Sequence, residues 1–267
     1  MLQNLYISTN AKVGGIYMVE FNDNMQNRLE GIRELPLKPD SHLYIRYPNK
    51  TIGEAASEES KSYGRNQKER PAIGLIEVVL SINRKYSTHV EPHIIRIEKT
   101  DLATFTQLEE MINTYSIEEF YDFWGHHDAR KYGIMRYTLK AINILRDKYK
   151  IKDDYVLMNK WAVEANIGKN NEDIIGRTKF LGLATFQHLR MNYGVNTVKP
   201  DRQVKEVLRR EFGFVGNNDK KAILTVENIS SFSGYSMIEL DQIFVNYGSG
   251  YYESESRRTN PSFVCKK

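Results

Sequence analysis

The sequence predicts an α+β protein in which a β-rich N-terminal part, residues 1–100, precedes an all-helical part, residues 101–267. Two observations carry this reading. The first hundred residues hold short runs of β-favouring residues separated by Gly, Asn and Pro. From about Thr100 the spacing of apolar residues changes from two to nearly four.

In the N-terminal part, Leu5 to Ser8, Gly15 to Phe21 and His42 to Tyr47 read as strands. Ala72 to Ile82 and His93 to Ile97 continue the pattern; the former is an apolar run interrupted by Glu77 and suits a buried strand. Between them, Gly53 to Arg70 is polar and reads as a loop or a short surface helix. Pro36, Pro39 and Pro48 cannot donate to a ladder and keep neighbouring strands short.

In the C-terminal part, Asp101 is placed to cap a helix running toward Tyr115, and Ser116 with Glu119 forms a capping box for the next. Residues Ala129 to Tyr149 align Met135, Leu139, Ile142 and Leu145 on one face, with Arg136, Lys140, Arg146 and Lys150 off that stripe. Asp154 can cap a helix that buries Leu157, Trp161 and Ala165 and stops at Gly168. Val204, Val207, Leu208 and Phe212 mark a helix ending at Gly213, and Ser236 with Glu239 opens the last one, which ends near Gly248.

Composition narrows the function classes. A chain that is 40% hydrophobic and 27% charged is globular rather than disordered. No apolar run approaches the roughly 20 residues of a membrane helix, and no basic segment followed by an apolar stretch opens the chain as a secretory signal would. The single cysteine, Cys265, can form neither an internal disulfide nor a cysteine-based metal or iron–sulfur site. A cytoplasmic protein without metal or organic cofactor is expected. The net charge of +4 is compatible with nucleic acid, and the 17 tyrosines offer faces for stacking on bases.

The chemistry concentrates between Ile174 and Phe212. An amphipathic turn of helix, Ile174 to Phe180, leads into a tight Leu181-Gly182-Leu183-Ala184 hairpin, and a second helix runs from Thr185 to Asn192 and stops at Gly194. A hairpin of small residues lets main-chain N–H groups approach a phosphate. The helix behind it begins with unpaired donors and a partial positive charge. Thr185 adds a hydroxyl, and Lys179 or Arg190 adds charge; the same hairpin also joins helices in proteins that never meet DNA. Lys199-Pro200-Asp201 then opens a third helix. Asp201 reads in two ways: as an ordinary N-cap, or as a carboxylate held at a helix start where it stabilises positive charge on a sugar as a base departs.

Taken together, the hairpin and Val198-Lys199-Pro200-Asp201-Arg202-Gln203-Val204 resemble the helix-hairpin-helix DNA glycosylase superfamily. Its hairpin reads L-x-G-[VI]-G-x-K-T-A, and a later V-[DP]-[TD]-x-[HR]-V segment carries the catalytic aspartate. Gly182 and Leu183 match the hairpin with Phe180 in place of its leucine, Gly194 matches the glycine ending its helix, and Asp201 and Val204 match the catalytic segment. Glu239-Leu240-Asp241 through Tyr247-Gly248-Ser249-Gly250-Tyr251 is similar to the closing helix and its end, so the resemblance spans roughly residues 116–251. Ala184 replaces the second hairpin glycine, and Phe186 replaces the lysine that forms a Schiff base in members with lyase activity.

The resemblance implies an enzyme, active as a monomer on double-stranded DNA, that flips a modified or damaged base into a pocket and hydrolyses its N-glycosidic bond. It leaves an abasic site without cutting the strand. Asp201 would be catalytic, while Lys179, Gly182, Ala184, Thr185, Lys199 and Arg202 would hold the backbone. Trp124, His126 and His127, ahead of the helix at Ala129, are placed either as the wedge entering the duplex or as a core tryptophan with histidines that cap the helix or face solvent, and Phe186, Gln242 and Asn246 are candidates for the pocket wall. The β-rich N-terminal part suggests an alkylated base, and the non-standard pocket a bulky modified base of viral DNA. The rival is a DNA-binding protein without catalysis, in which Asp201 is only a cap.

Overall fold

The computed structural model describes residues 10–13, 16–19 and 22–253. In chain order it contains a ribbon of β1 (Asn10–Val13) and β2 (Ile16–Val19), then α1 (Asp23–Arg33), α2 (His42–Arg46), α3 (Ile52–Ser62), α4 (Arg65–Glu69), α5 (Pro71–Leu80), α6 (Tyr86–His89), α7 (Glu91–Ile97) and α8 (Phe105–Thr114). There follow α9 (Ile117–Trp124), α10 (Ala129–Tyr149), α11 (Asp154–Glu164), α12 (Leu183–Asn192), α13 (Arg202–Phe212), α14 (Asp219–Ser233) and α15 (Met237–Gly248).

The described chain is helical almost throughout, which corrects the expected α+β fold with its β-rich N-terminal part. Among the described residues, the ribbon, antiparallel with Asn10 opposite Val19, is all that remains of that part's strands, and it lies partly within the run Gly15 to Phe21. Leu5 to Ser8 lies outside the described residues. His42 to Tyr47 is instead α2, started by Ser41, whose hydroxyl accepts the Tyr44 N–H at 3.1 Å. Ala72 to Ile82 is α5, and its near-continuous apolar character has a physical cause. The helix passes through a core, so residues on every side are buried, from Ala72 to Leu80 with Glu77 the exception. Such a run cannot be told from a buried strand by periodicity; Pro71 at its first turn, where a missing N–H costs nothing, is the helix signal. His93 to Ile97 belongs to α7, and the polar stretch from Gly53 forms α3 and α4.

The C-terminal helices follow the expected faces. Met135, Leu139, Ile142 and Leu145 are buried along α10, and Val204, Val207, Leu208 and Phe212 along α13. Ser116 and Glu119 close their capping box. Two starts shift by a few residues. Thr104, boxed with Gln107, caps α8 in place of Asp101. Asp153 caps α11, which leaves Asp154 to accept the Phe105 N–H and an Arg146 guanidinium N–H, both at 2.7 Å.

The chain forms two compact units, one from residues 1–61 and 200–267, the other from 62–199. The division expected at residue 100 falls inside the second. In the second unit α5, α8, α10, α11 and α12 surround one core that includes Leu75, Ile76, Trp124, Met135, Trp161 and Phe186. In the first unit α13 lies along α15, with the rings of Phe212 and Phe244 5.5 Å apart. A Cβ on Gly248 would come within 3.2 Å of Val207, so the glycine permits that close packing. Among the described residues no helix is long and apolar enough to cross a membrane.

Candidate functional site

The hairpin segment begins in the second unit with Asp173. Its Oδ1 accepts the N–H groups of Ile175 at 2.8 Å and Gly176 at 2.9 Å, and its carboxylate also takes the Trp161 indole N–H. A Cβ on Gly176 would collide with the Asn170 carbonyl oxygen. The chain there is a succession of turns: one α-helical bond, from the Arg177 N–H to the Asp173 carbonyl at 2.9 Å, closes, but no helix continues over Ile174 to Phe180. Phe180 then adopts φ +69, a left-handed conformation uncommon for a bulky residue.

Gly182 is the N-cap of α12, with no side chain closing the helix end. The Phe186 N–H returns to the Gly182 carbonyl at 3.0 Å, while the N–H groups of Leu183, Ala184 and Thr185 have no acceptor among the described residues. These are the donors that a helix start offers to an anion. Gly182 is exposed, and a Cβ there would meet nothing within 4 Å. The fold therefore tolerates a side chain at this position, but a phosphate on the helix end would collide with it. Gly182→Val is expected to keep the fold while weakening duplex binding about tenfold or more, since a lost charge-assisted hydrogen bond contributes about 1.5–3 kcal/mol. Unchanged affinity in an anisotropy titration would make the hairpin purely structural.

The rest of α12 is held firmly. Phe186 is fully buried edge-on against Trp161, with ring centroids 5.5 Å apart, so it belongs to the core and forms no pocket wall. Thr185 is buried as well. Gln187 donates to the Thr197 hydroxyl at 2.6 Å, and Arg190 is committed to the Ala162 carbonyl and to Gln187. His188 meets the Ser81 hydroxyl through Nδ1 at 3.1 Å; burial, aided by the Lys199 ammonium, pushes its pKa well below the usual histidine value. Lys199 thus lies beside α12, and Lys179 is exposed at the hairpin.

The chain passes to the first unit at Pro200, so the hairpin and Asp201 are carried by different units. Asp201 caps α13: its Oδ1 accepts the N–H groups of Gln203 at 2.9 Å and Val204 at 3.1 Å. Oδ2 accepts no hydrogen bond from the described residues, and the side chain is half-buried. The cap therefore uses one oxygen and fixes the direction of the other. Gln203 is tied in turn to the Ser249 hydroxyl at 2.7 Å, and Arg202 is exposed.

The expected wedge is corrected in its main member. Trp124 is fully buried, its indole N–H bonded to the His126 carbonyl and its ring stacked with Tyr121 at an interplanar angle of 9°. A side chain so packed cannot enter a duplex without opening the core. His126 is half-buried beside Asp128, and burial with the nearby Lys131 lowers its pKa. His127 is exposed and 3.8 Å from Asp122. In the first unit, Gln242 lies 3.3 Å from the Asp241 carboxylate, and buried Asn246 donates to Glu59 at 3.0 Å, an internal bond that occupies its amide.

Sequence reasoning missed Lys131. Its side chain is 4% exposed, and its ammonium donates to the Leu80 carbonyl at 2.6 Å, closing the C-terminal end of α5. Burial, then the charge of Arg84, brings its pKa down to about 8. A signal exists in the spacing: Lys131 stands four residues before Met135, in register with the buried stripe of α10. Among the described residues no three His, Cys, Asp or Glu side chains converge as a metal site. No family model, curated protein or solved structure matches this chain.

Proposed function

We propose that the protein is a DNA glycosylase, which flips a modified or damaged base out of duplex DNA and hydrolyses its N-glycosidic bond. The observation that carries the reading is Asp201, whose cap bonds immobilise one carboxylate oxygen and leave the other without an internal partner. The open N-terminus of α12 supports it as a backbone anchor. In this mechanism the bond between C1′ and the base nitrogen breaks first, with its electron pair leaving on the base. Asp201 stabilises the positive charge that develops on the sugar and orients a water whose oxygen bonds to C1′; the water's proton ends on the base. Lys179, Lys199 and Arg202 position the phosphates.

A second reading, a DNA-binding protein without chemistry, draws on the same two cap bonds, which by themselves account for an aspartate at this position. Product chemistry tests the assignment of reaction type. With Phe186 in the core where a nucleophilic lysine would stand, product strands should remain intact and break only after alkali. Borohydride trapping of a covalent protein–DNA adduct would overturn hydrolysis in favour of an amine nucleophile.

A further inference from the structure

We infer that a groove in the second unit, between α10 and the turns preceding α12, binds single-stranded DNA. This surface goes beyond the glycosylase reading and requires no chemistry at Asp201. The groove has a volume of about 230 Å³, and its lining includes Tyr137, Lys140, Ile144, Arg177 and Lys179. None of its lining residues is acidic.

Two features give it a ligand. The first is charge: Lys140, Arg177 and Lys179 are all exposed, and none forms an ion pair or side-chain hydrogen bond among the described residues. On the same helix Arg146 is paired with Asp154 at 2.7 Å. Lys140 is thus a cation left for an outside anion. The second is exposed apolar surface beside those cations. Tyr137 and Ile144 are each about half exposed, and they share the Lys140 face of α10. Phe180, 59% exposed, follows Lys179, whose ammonium stands 5.0 Å from its ring centroid.

Phe180 is the most telling residue. Its φ of +69 is a conformation that glycine adopts freely and phenylalanine does not, yet its ring is not buried in return. Rings interleaved with unpaired cations are the combination that holds a single strand, with phosphates on the cations and bases stacked on the rings. A duplex keeps its base faces inside the stack and presents phosphates, sugars and base edges, which leaves the exposed rings without a stacking partner.

The test is an anisotropy titration of the full chain with fluorescent oligothymidine across a salt series, alongside a melting temperature for every variant. Phe180→Gly relieves the backbone while removing the ring. It should melt no lower than wild type and bind the oligonucleotide about tenfold more weakly, a typical loss for one stacking platform. The double variant Lys140→Ala, Arg177→Ala should flatten the dependence of log affinity on log salt by roughly 1.4, at about 0.7 for each phosphate no longer neutralised. Absence of oligothymidine binding by wild type overturns the proposal, as do wild-type affinity and salt slope in the folded variants. Base release from duplex DNA is measured separately, so failure of the groove and failure of the glycosylase reading are distinguishable.

Discussion

Asp201→Asn is expected to yield a folded protein that binds duplex DNA but releases base at least about a hundredfold more slowly. Asparagine caps a helix as well as aspartate does, and its side-chain oxygen can accept the same N–H groups of Gln203 and Val204. Stability should change little. What is lost is the negative charge on the oxygen that the cap leaves uncommitted. Stabilising charge that develops in a transition state contributes on the order of 3 kcal/mol, equivalent to about a hundredfold in rate. DNA affinity should hold or rise, because a carboxylate near phosphates repels them. The comparison takes a melting temperature, a binding curve and a single-turnover rate on one substrate. Near-normal base release by the Asn variant would return Asp201 to the role of helix cap.

Trp124→Ala is expected to cost about 3–5 kcal/mol of stability, the range for removing a fully buried large aromatic side chain. The indole packs against Phe120 with centroids 5.1 Å apart and stacks on Tyr121, so its removal leaves a cavity and an unpaired His126 carbonyl. Urea unfolding measures the loss directly. A folded, wild-type-stable Trp124→Ala protein with impaired base release would instead restore the wedge role that the packing argues against.

These residues show where sequence is informative. The faces of α10 and α13 and the cap at Asp201 are legible because each depends on neighbours three or four residues apart. The end of α12 is legible too, at Gly194 with φ +92, where a Cβ would crowd Asn159 and Tyr155, but the helix begins at Leu183, inside the segment read as a hairpin and two residues before the expected Thr185. The N-terminal half misleads because α5 is buried on nearly all sides and so has no polar face to reveal a period, and because α2 and α7, at five and seven residues, are too short to show one. The turns before α12 depend on the close approach of Gly176 to the Asn170 carbonyl, which has no local signature beyond a glycine. Trp124 and Phe186 suggest themselves as site residues by sequence position alone, yet a large aromatic can serve in a core or a pocket, and packing decides which.

The central claim is that this chain releases a base from DNA. The most direct measurement is mass-spectrometric detection of free base after incubating the wild-type protein with duplexes carrying alkylated bases or bulky modified bases. Each duplex is then probed for abasic sites with an aldehyde-reactive label. The expected result is a free modified base and an equal amount of abasic site from at least one duplex, both strongly diminished with Asp201→Asn. Tight binding of those duplexes, lost in Gly182→Val but yielding neither free base nor abasic site, would contradict the claim and establish a binding protein in its place.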